Sequence, residues 1–354
     1  MKLLVLSDAG SVHTERWVRW FEKAGWETGL FSLEPARDWK PGRFWQGQRQ
    51  TTVGVIDYWL ARKQLSAILD EFKPDIISAH YVVSYGWLAV QDKRCPVVCT
   101  AWGSDLLLLP QRSILHRKRI ASALKKSDLV TVDNGNLFNA ALEYISESKI
   151  RRVILGVNRD VIDSGYKRDF SGEGKLRIIA PRGLQAVYDP MTIINAVELA
   201  RDRIDMVVDM CGEGSRAYEI EEEIRRRELG DIIKIIPRRP HDEYIASLTE
   251  YDIYLSASVS DSTSVALMEA MAIGLYPVVT DIAGNQEWIT PGETGSLFAP
   301  GSPSKLSEAL VDASEKRSQF MEIAQLNRAR IETEAVWDDN ASRLEKDFMQ
   351  LMGD

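Results

Sequence analysis

Short apolar runs alternate with longer amphipathic segments along most of the 354-residue chain. A short continuous apolar run is typical of a strand buried on both faces, whereas apolar residues spaced three and four apart are typical of a helix. In the first half of the chain, the patterns predict strands at residues 2–7, 27–32, 75–79, 97–101, 129–133 and 153–155. They predict helices at residues 13–24, 58–71, 86–91, 115–125 and 136–144.

The alternation is interrupted at residues 169–175, a polar stretch with two glycines that is typical of a linker. A second series of strands is predicted at residues 176–180, 206–211, 232–236, 253–256 and 276–280. The helices predicted between them are residues 191–201, 217–229, 242–248 and 265–273. A last amphipathic helix is predicted at residues 337–352.

Repeated strand–helix units predict an α/β fold with doubly wound parallel sheets. We expect two Rossmann-like domains, residues 1–168 and 169–335, that face each other across a cleft. We expect the C-terminal helix, residues 336–354, to pack back on the N-terminal domain. Open α/β sheets bind ligands at the carboxyl ends of their strands, so the cleft is the expected binding site.

Composition and charge exclude several classes of protein. The formal net charge is −8, so no overall field favours nucleic acid. No apolar stretch reaches the roughly 18 residues of a membrane span, and the first apolar run reads as a strand rather than a signal peptide. The three cysteines, Cys95, Cys99 and Cys211, form no disulfide pattern. We therefore expect a cytoplasmic protein.

The segment 256–272 carries the most informative chemistry. It begins as a strand, passes through Asp261, Ser262, Thr263 and Ser264, and enters an apolar helix that contains Glu269. Such residues cap helices, and the free N–H groups at a helix start attract phosphate. A carboxylate on an apolar helix needs partners, which the hydroxyls of a ribose would supply. The alternatives are simple capping by Asp261 and a structural salt bridge for Glu269.

This segment resembles the signature of the group 1, family 4-like glycosyltransferases, which have the GT-B fold and retain the anomeric configuration. An acid, seven residues and then Glu269-Ala-Met-Ala are followed by Gly274-Leu-Tyr-Pro-Val-Val. The resemblance implies that Asp261 lies near the donor sugar hydroxyls and that Glu269 holds the ribose. The family usually has Glu at the first position and Phe-Gly after it, where this chain has Asp261 and Ser262-Thr263.

Three further stretches of the second half resemble the donor site of that family. Arg182, after the strand at 176–180, matches a basic residue that contacts the donor diphosphate, although Val187 replaces the usual lysine five residues later. Gly212 and Gly214 match the turn under the nucleotide, and Arg238 matches the loop after the base-binding strand. Arginine is well shaped for phosphate, and a surface arginine in a turn is the alternative for Arg182.

The resemblance places the acceptor in the N-terminal half. His13 follows the first strand in a glycine- and serine-bearing loop, and His80 ends a strand on the side of the expected cleft. Both are candidate catalytic residues, with a structural histidine as the alternative for His80. Trp102 replaces a histidine of the family's His-Gly turn, which makes Asp105 the expected polar contact there.

The sequence has no Asp-x-Asp triplet and no cluster with zinc-ligand spacing. Glycosyltransferases of the other main fold use such a triplet to hold a divalent ion against the diphosphate. We therefore expect no metal and no cofactor apart from the nucleotide-sugar substrate.

The segment between residues 106 and 126 begins with four leucines and contains the basic residues Arg112, Arg117, Lys118 and Arg119. An apolar segment beside a basic helix favours contact with an anionic membrane surface, and so a peripheral location at the inner face of the membrane and a lipid-linked acceptor. A solvated helix face on a soluble protein is the alternative.

Together these features predict a metal-independent hexosyltransferase. It would move a sugar from a nucleotide-sugar, by default a UDP-sugar, to a hydroxyl acceptor with retention, in the assembly of cell-surface glycans or glycolipids. The alternatives are a nucleotide-sugar epimerase, which needs titratable groups around the sugar, and a two-domain binding protein without turnover. A nicotinamide-dependent oxidoreductase is disfavoured because no Gly-x-Gly-x-x-Gly follows the first strand.

Overall fold

The computed structural model describes residues 1–37, 39–49, 54–170 and 174–353. The chain divides into two compact units. The N-terminal unit comprises Met1–Leu155 and Asp338–Asp354, and the C-terminal unit comprises Gly156–Trp337. The division therefore falls at residue 155, whereas the sequence placed it at residue 168. Residues 171–173 of the expected linker lie outside the described part of the chain.

The N-terminal unit is built on a sheet whose described strands pair in parallel. The strands are β1 (Lys2–Leu6), β2 (Glu27–Ser32), β3 (Phe44–Gln46), β4 (Ile76–His80), β5 (Val97–Thr100), β6 (Leu129–Val132) and β7 (Ile150–Arg152). They lie in the order β3-β2-β1-β4-β5-β6-β7. The side chains of Leu3, Leu4, Val5 and Leu6 are all fully buried, so both faces of the sheet are covered. This burial explains why the strands read as continuous apolar runs.

Helices connect these strands. They are α1 (Val12–Lys23), α2 (Gly54–Leu60), α3 (Arg62–Phe72), α4 (Trp87–Ala89), α5 (Ser104–Leu107), α6 (Leu109–Arg112), α7 (Ile114–Lys126) and α8 (Gly135–Leu142). A π-helical segment, Tyr81–Gly86, joins β4 to α4. Ser11 caps α1 by accepting a hydrogen bond from the His13 backbone N–H, which fixes the start of the helix directly after the loop that follows β1.

The C-terminal unit contains a second parallel sheet. Its strands are β8 (Leu176–Ala180), β9 (Met206–Cys211), β10 (Ile233–Ile236), β11 (Ile253–Ser256), β12 (Tyr276–Thr280) and β13 (Ser296–Phe298), in the order β10-β9-β8-β11-β12-β13. Its helices are α9 (Arg159–Tyr166), α10 (Pro190–Ala200), α11 (Ala217–Arg226), α12 (His241–Leu248), α13 (Val265–Ile273), α14 (Ala283–Gln286), α15 (Pro303–Glu315) and α16 (Phe320–Glu334). The strand order reverses direction at β8, beside β11, which is where such sheets bind ligands.

Helix α9 belongs to the C-terminal unit, which explains the position of the division between the units. The buried Arg328 of α16 donates from Nε to the Ala272 carbonyl at 2.9 Å and from Nη2 to the Gly165 carbonyl at 2.8 Å. It therefore ties the end of α9 to α13. Helix α9 has few apolar positions, so the sequence pattern does not predict it.

The final helix, α17 (Trp337–Met352), packs in the N-terminal unit along most of its length. The Phe348 ring stacks on Phe21 of α1 with 5.3 Å between ring centroids. The indole N–H of Trp26 donates to Glu345 at 2.7 Å, and that of Trp20 donates to Asp338 at 2.9 Å. The aromatic face of α1 is thus buried by a segment distant in sequence.

The prediction of two Rossmann-like parallel sheets is confirmed, and several element boundaries differ. The segment predicted as one helix at residues 58–71 is two helices, because α2 ends at Leu60 and α3 begins at Arg62. The strand predicted at residues 153–155 lies instead at Ile150–Arg152. The helix predicted at residues 86–91 is the π-helical segment followed by the short α4. Among the residues that the structure describes, no helix has both the length and the apolar character needed to cross a membrane.

Candidate functional site

A cavity of about 560 Å³ lies within the C-terminal unit at the carboxyl ends of β8, β9 and β10. Its lining includes Arg182 and Tyr188 after β8, Cys211 at the end of β9, and Arg238 and His241 after β10. Parallel strands bring their carboxyl ends to one edge of the sheet, so residues from three separate loops converge here. The cavity is the size of a small-ligand site.

Helix α13 lies beside the cavity, and its residue Ala266 is part of the lining. Ser264 is the N-cap of α13, and its hydroxyl accepts a hydrogen bond from the Leu267 backbone N–H at 3.3 Å. From Leu267 to Ile273 the helix is completely buried, and it ends at Gly274 in the left-handed conformation, with a φ of 98°. The helix start at Ser264 and Val265 is consequently held in a fixed position. The capping role that the sequence predicted falls on Ser264.

The structure brings together three of the predicted site residues, Arg182, Asp261 and Ser264. The side chains of Arg182 and Asp261 form an ion pair with 2.9 Å between Nη2 and Oδ2, and each side chain is about one-fifth exposed. Arg182 also donates from Nη1 to the Ser264 hydroxyl at 3.3 Å and lies 4.4 Å from the centre of the Tyr188 ring. Its Nε is buried and has no hydrogen-bond partner among the described residues. Arg182 is therefore a held cation at the start of α13 rather than a free surface arginine.

Burial opposes the positive charge of Arg182, but the neighbouring acidic groups, Tyr254 and then Asp261, raise its pKa overall. The guanidinium remains charged at any physiological pH. A cation of the cavity lining, a carboxylate and a helix N-terminus thus meet at Arg182, Asp261 and Ser264. The first and third of these attract an anion, and the carboxylate accepts hydrogen bonds from hydroxyl groups.

Glu269 lies on α13 and is 6% exposed. Its Oε1 accepts a hydrogen bond from His241 Nε2 at 2.8 Å. No hydrogen bond reaches Oε2 from the residues that the structure describes. The structure thus gives Glu269 an ionisable protein partner, which agrees with the alternative of a structural salt bridge. That partner, His241, lines the cavity. No sequence motif pointed to His241 as a functional residue.

Gly214 allows the loops after β8 and β9 to approach each other closely, whereas a Cβ at Gly212 would lie 2.6 Å from the Ile235 side chain of β10. A Cβ at Gly214 would lie 2.1 Å from the Leu184 carbonyl oxygen, and its φ is 153°. The two loops also exchange hydrogen bonds, from Leu184 N–H to the Glu213 carbonyl at 2.6 Å and from Arg216 N–H to the Leu184 carbonyl at 2.9 Å. The glycine turn therefore shapes the floor of the cavity through packing.

Arg238 and its neighbour Arg239 are exposed and line the same cavity. They follow β10 directly, as the sequence predicted. Nearby, burial raises the pKa of the Cys211 thiol, so this cysteine is protonated and unreactive at neutral pH.

His80 and His13 lie in the N-terminal unit. His80 ends β4 with 1% of its surface exposed, and its Nε2 is 3.2 Å from the Ser78 hydroxyl. Its ring packs edge-on against Trp17 at 4.7 Å, and burial lowers its pKa to about 3. The ring is neutral and closed to solvent, which favours the structural alternative. His13 is half-buried, with its ring edge-on to Trp102 at 5.9 Å.

Asp105 is fully buried, contrary to its expected role as a polar contact for a ligand. Its carboxylate accepts hydrogen bonds from the backbone N–H of Val82 at 2.8 Å and of Trp102 at 3.0 Å. Burial raises its pKa to about 6, although these hydrogen bonds act in the opposite direction. Asp105 thus joins the loop after β5 to the π-helical segment and orients Trp102.

Part of the basic segment 106–126 is exposed on the N-terminal unit. Arg112, Arg117 and Lys118 are exposed, as are the apolar Leu108, Ile114 and Leu115. Arg119 is an exception to the predicted surface. It is 7% exposed and lies 3.8 Å from the centre of the Trp87 ring, because its position on α7 faces the core. A second cavity, of about 520 Å³, lies beside this surface and is lined by Leu107, Pro110, Arg117, Glu143 and Tyr144, among others.

Within the described part of the chain, no group of three or more His, Cys, Asp or Glu side chains is placed to hold a metal ion.

Two family models match successive parts of the chain. The model for "Glycosyl transferase 4-like" proteins matches residues 2–134, and the model for "Glycosyl transferases group 1" matches residues 167–330. The two parallel Rossmann-like sheets and these matches define a protein of the GT-B class. The chain belongs to the group 1 glycosyltransferases, which confirms the resemblance found in the sequence.

Curated relatives match over part of their length. N-acetyl-alpha-D-glucosaminyl L-malate synthase of Bacillus anthracis is 24% identical over 251 residues, which cover 67% of this chain and 64% of the relative. The amylovoran biosynthesis glycosyltransferase AmsK of Erwinia amylovora is 26% identical over 171 residues, 42% of each chain. The chain thus spans less than two thirds of the length of either relative.

Solved structures match over the whole length. A glycosyltransferase from Rickettsia africae ESF-5 has a TM-score of 0.81 at 16% identity, covering 100% of this chain and 99% of the other. Anabaena Alr3699/HepE in complex with UDP has a TM-score of 0.79 at 14% identity, covering 99% and 100%. At such identities the likeness establishes the fold alone.

Proposed function

We propose that this protein is a glycosyltransferase that transfers a sugar from a nucleotide-sugar, most simply a UDP-sugar, to a hydroxyl acceptor. The observation that carries the proposal is the meeting of Arg182, Asp261 and Ser264 at the start of α13, beside a cavity that is lined by Arg182 and by His241, the partner of Glu269. The GT-B neighbour Anabaena Alr3699/HepE was crystallised with UDP and with UDP-glucose, which supports a donor of this kind.

In the proposed complex, the diphosphate lies against Arg182 and the N-terminus of α13. A guanidinium forms bidentate hydrogen bonds with phosphate oxygens, and the positive end of the α13 helix dipole attracts the same anion. The ribose hydroxyls donate to Glu269, whose Oε2 has no hydrogen-bond donor among the described residues. Asp261 accepts hydrogen bonds from the sugar hydroxyls. The exposed Arg238 lies at the base end of the nucleotide.

The proposed reaction retains the anomeric configuration and needs no metal. The bond between the anomeric carbon and the β-phosphate oxygen breaks, and the acceptor oxygen bonds to the same carbon on the same face. The acceptor proton passes to the departing phosphate. Arg182 and the helix N-terminus stabilise the negative charge that develops on that phosphate, in an arrangement that is already in place before reaction. His13 remains a proposed catalytic residue.

Turnover separates this proposal from its alternatives. A transferase releases the nucleoside diphosphate in proportion to glycosylated acceptor, an epimerase interconverts two nucleotide-sugars, and a binding protein consumes nothing. Thermal shift with UDP-, GDP- and ADP-sugars identifies the donor, because a ligand at 100 times its Kd adds about 2.7 kcal/mol of stability. Donor turnover is then followed with added hydroxyl acceptors. Stabilisation without any release of nucleoside diphosphate would support a binding protein.

We also propose a lipid-linked acceptor and a cytoplasmic protein peripheral to the inner face of the membrane. The exposed Leu108, Ile114 and Leu115 lie in sequence beside the exposed Arg112 and Arg117. Exposed apolar side chains insert between lipids, and each cation near an anionic leaflet contributes about 1 kcal/mol. This combination favours a membrane over a solvated helix face.

Vesicle co-sedimentation tests this second proposal. Binding to vesicles with anionic lipid is expected, with weakening in salt and loss when Arg112, Arg117 and Lys118 are changed to Glu. The matched control changes three exposed cations of the C-terminal unit, Arg201, Arg203 and Lys234, to Glu. Wild-type protein that stays in the supernatant at low salt, or equal loss in both variants, would refute the membrane contact.

A further inference from the structure

The contact between His241 and Glu269 joins two elements at the cavity wall. His241 is the first residue of α12, and its side chain is 57% exposed, whereas the Glu269 side chain is 8% exposed. The 2.8 Å contact therefore runs from a solvent-facing ring to a nearly buried carboxylate. Because an ionised carboxylate only accepts hydrogen bonds, Nε2 is the donor.

The first turn of α12 carries a second polar group at the cavity. Tyr244 lies three residues after His241, so both side chains are on one face of the helix, and both line the cavity. The Tyr244 hydroxyl is buried without a hydrogen-bond partner in the described part of the chain. The negative charge of Glu269 contributes to raising the Tyr244 pKa after the larger effect of burial, so the hydroxyl is near that carboxylate.

A carboxylate on an apolar helix has few local groups to hold it in one orientation. The neighbours of Glu269 on α13, Met268 and Ala270, offer no hydrogen bonds from their side chains. The bond from His241 fixes Oε1, and this leaves Oε2 as the acceptor for a hydroxyl donor. A side chain locked by a second residue loses less conformational entropy when it binds a ligand.

We infer that His241 is a positioning residue of the nucleotide site, which acts through Glu269 on the ribose hydroxyls. This inference rests on the proposed function, because it requires a ribonucleotide in the cavity. His241 then contributes to affinity for the ribose hydroxyls, although it has no direct contact with them in this arrangement. A merely structural role would instead affect folding and leave discrimination between ribose and dideoxyribose unchanged.

Three substitutions separate these roles. His241→Gln places an amide nitrogen close to the position of Nε2, whereas His241→Asn is too short and His241→Ala has no donor. Calorimetry should give UDP affinities about threefold to tenfold weaker for the Ala and Asn variants, as expected for one hydrogen bond, with recovery in the Gln variant. The matched control is Glu243→Gln, an exposed residue of the same turn, which should bind UDP like the wild type.

The ligand supplies the complementary control. 2′,3′-Dideoxyuridine diphosphate lacks the hydroxyls that Glu269 is proposed to accept, so its affinity should be the same for wild type and His241→Ala. In a Glu269→Ala background, the change of His241 to Ala should weaken UDP binding no further. Thermal unfolding of each variant without ligand confirms that it is folded.

The outcomes distinguish the inference from the proposed function. Failure of wild-type protein to bind UDP would overturn the UDP-sugar proposal and, with it, this inference. Wild-type binding that is weakened by Glu269→Ala and unchanged by His241→Ala would overturn the positioning role alone. An equal loss for UDP and the dideoxy compound, or an additive loss in the double variant, would likewise refute action through Glu269.

Discussion

At the scale of single residues, charged and polar side chains beside the cavity of the C-terminal unit orient one another. Arg182 pairs with Asp261, Asp261 precedes the capped helix α13, and the cap Ser264 accepts a hydrogen bond from Arg182. Such mutual contacts orient the groups before a ligand arrives, so little reorganisation is needed on binding. The arrangement makes Arg182 the most informative residue to change.

Arg182→Ala should lower kcat/KM for the sugar donor at least about tenfold, equivalent to about 1.4 kcal/mol of transition-state stabilisation. The departing phosphate would lose its nearest held cation, and Asp261 would add an uncompensated negative charge. Steady-state kinetics with the donor identified by thermal shift measure the effect. Full activity in the variant would contradict the role of Arg182 and would indicate that Arg238 or Arg239 contacts the phosphate. Arg201→Ala is the control variant.

The neutral His80 should make the N-terminal unit sensitive to acid. Its folded pKa of about 3 lies below the unfolded value of roughly 6.5, so the unfolded chain takes up the proton first. The stability contributed by the neutral ring is complete above about pH 6.5 and is lost as the pH falls from there toward 3. Asp105, with its folded pKa raised to about 6, acts in the opposite direction between about pH 4 and 6.

Replacing His80 by Leu should therefore reduce the loss of stability on acidification from pH 6.5 to 4. The free energy of unfolding of the variant should fall less than that of the wild type, by at most about 1.4 kcal/mol per pH unit. Urea unfolding at each pH measures the difference. The stability at neutral pH provides the baseline for each protein, because the variant also loses the contact with Ser78. If the free energy of unfolding depended on pH in the same way in both proteins, His80 would not be the source of the acid sensitivity.

At the scale of elements, the cavity depends on how closely neighbouring loops approach. Gly214→Ala should destabilise the C-terminal unit by about 1–3 kcal/mol, because the new Cβ meets the Leu184 backbone and cannot be relieved by a rotamer change. Donor binding should weaken with it, since the same loops line the cavity. Gly230→Ala is the matched control, because nothing lies within 4 Å of its Cβ position. Equal stabilities of both variants would show that the loops adjust freely.

The helix α17 links the end of the chain to the core of the N-terminal unit. Phe348→Ala should cost about 3–5 kcal/mol in the unfolding of that unit, because a fully buried ring and its stack on Phe21 are lost. Unfolding monitored by calorimetry with and without UDP assigns the transition, since nucleotide should stabilise only the C-terminal unit. The exposed Lys346→Ala should have no such effect. A loss of UDP binding by folded Phe348→Ala would contradict the prediction.

At the scale of the whole molecule, the proposed chemistry uses protein groups alone to neutralise the diphosphate. Activity should therefore survive EDTA, with kcat/KM unchanged within error after dialysis against the chelator. Arg182 and the α13 N-terminus supply the positive potential that a divalent ion would otherwise provide. A complete loss of activity in EDTA that Mg²⁺ or Mn²⁺ reverses would show that the reaction needs a metal. Mg²⁺ titration of the untreated enzyme is the control.

The sequence by itself determined the class of fold and the start of the apolar helix α13. Apolar strands that alternate with amphipathic helices specify parallel sheets. Helices cover both faces of such a sheet, so its strands are apolar at every position. The Ser/Asp loop before an apolar helix likewise predicted the start of α13, since capping is a local interaction between residues a few positions apart. These properties depend on neighbours in sequence, so the pattern contained them.

Tertiary structure alone decided which groups meet. The sequence identified Glu269 but not its partner, because His241 lies on another helix and reaches it only through the packing of α12 beside α13. Burial of His80 and Arg119 and the break between α2 and α3 were decided in the same way. Each depends on side chains from distant segments, and the free energy of such contacts has no signature in local periodicity.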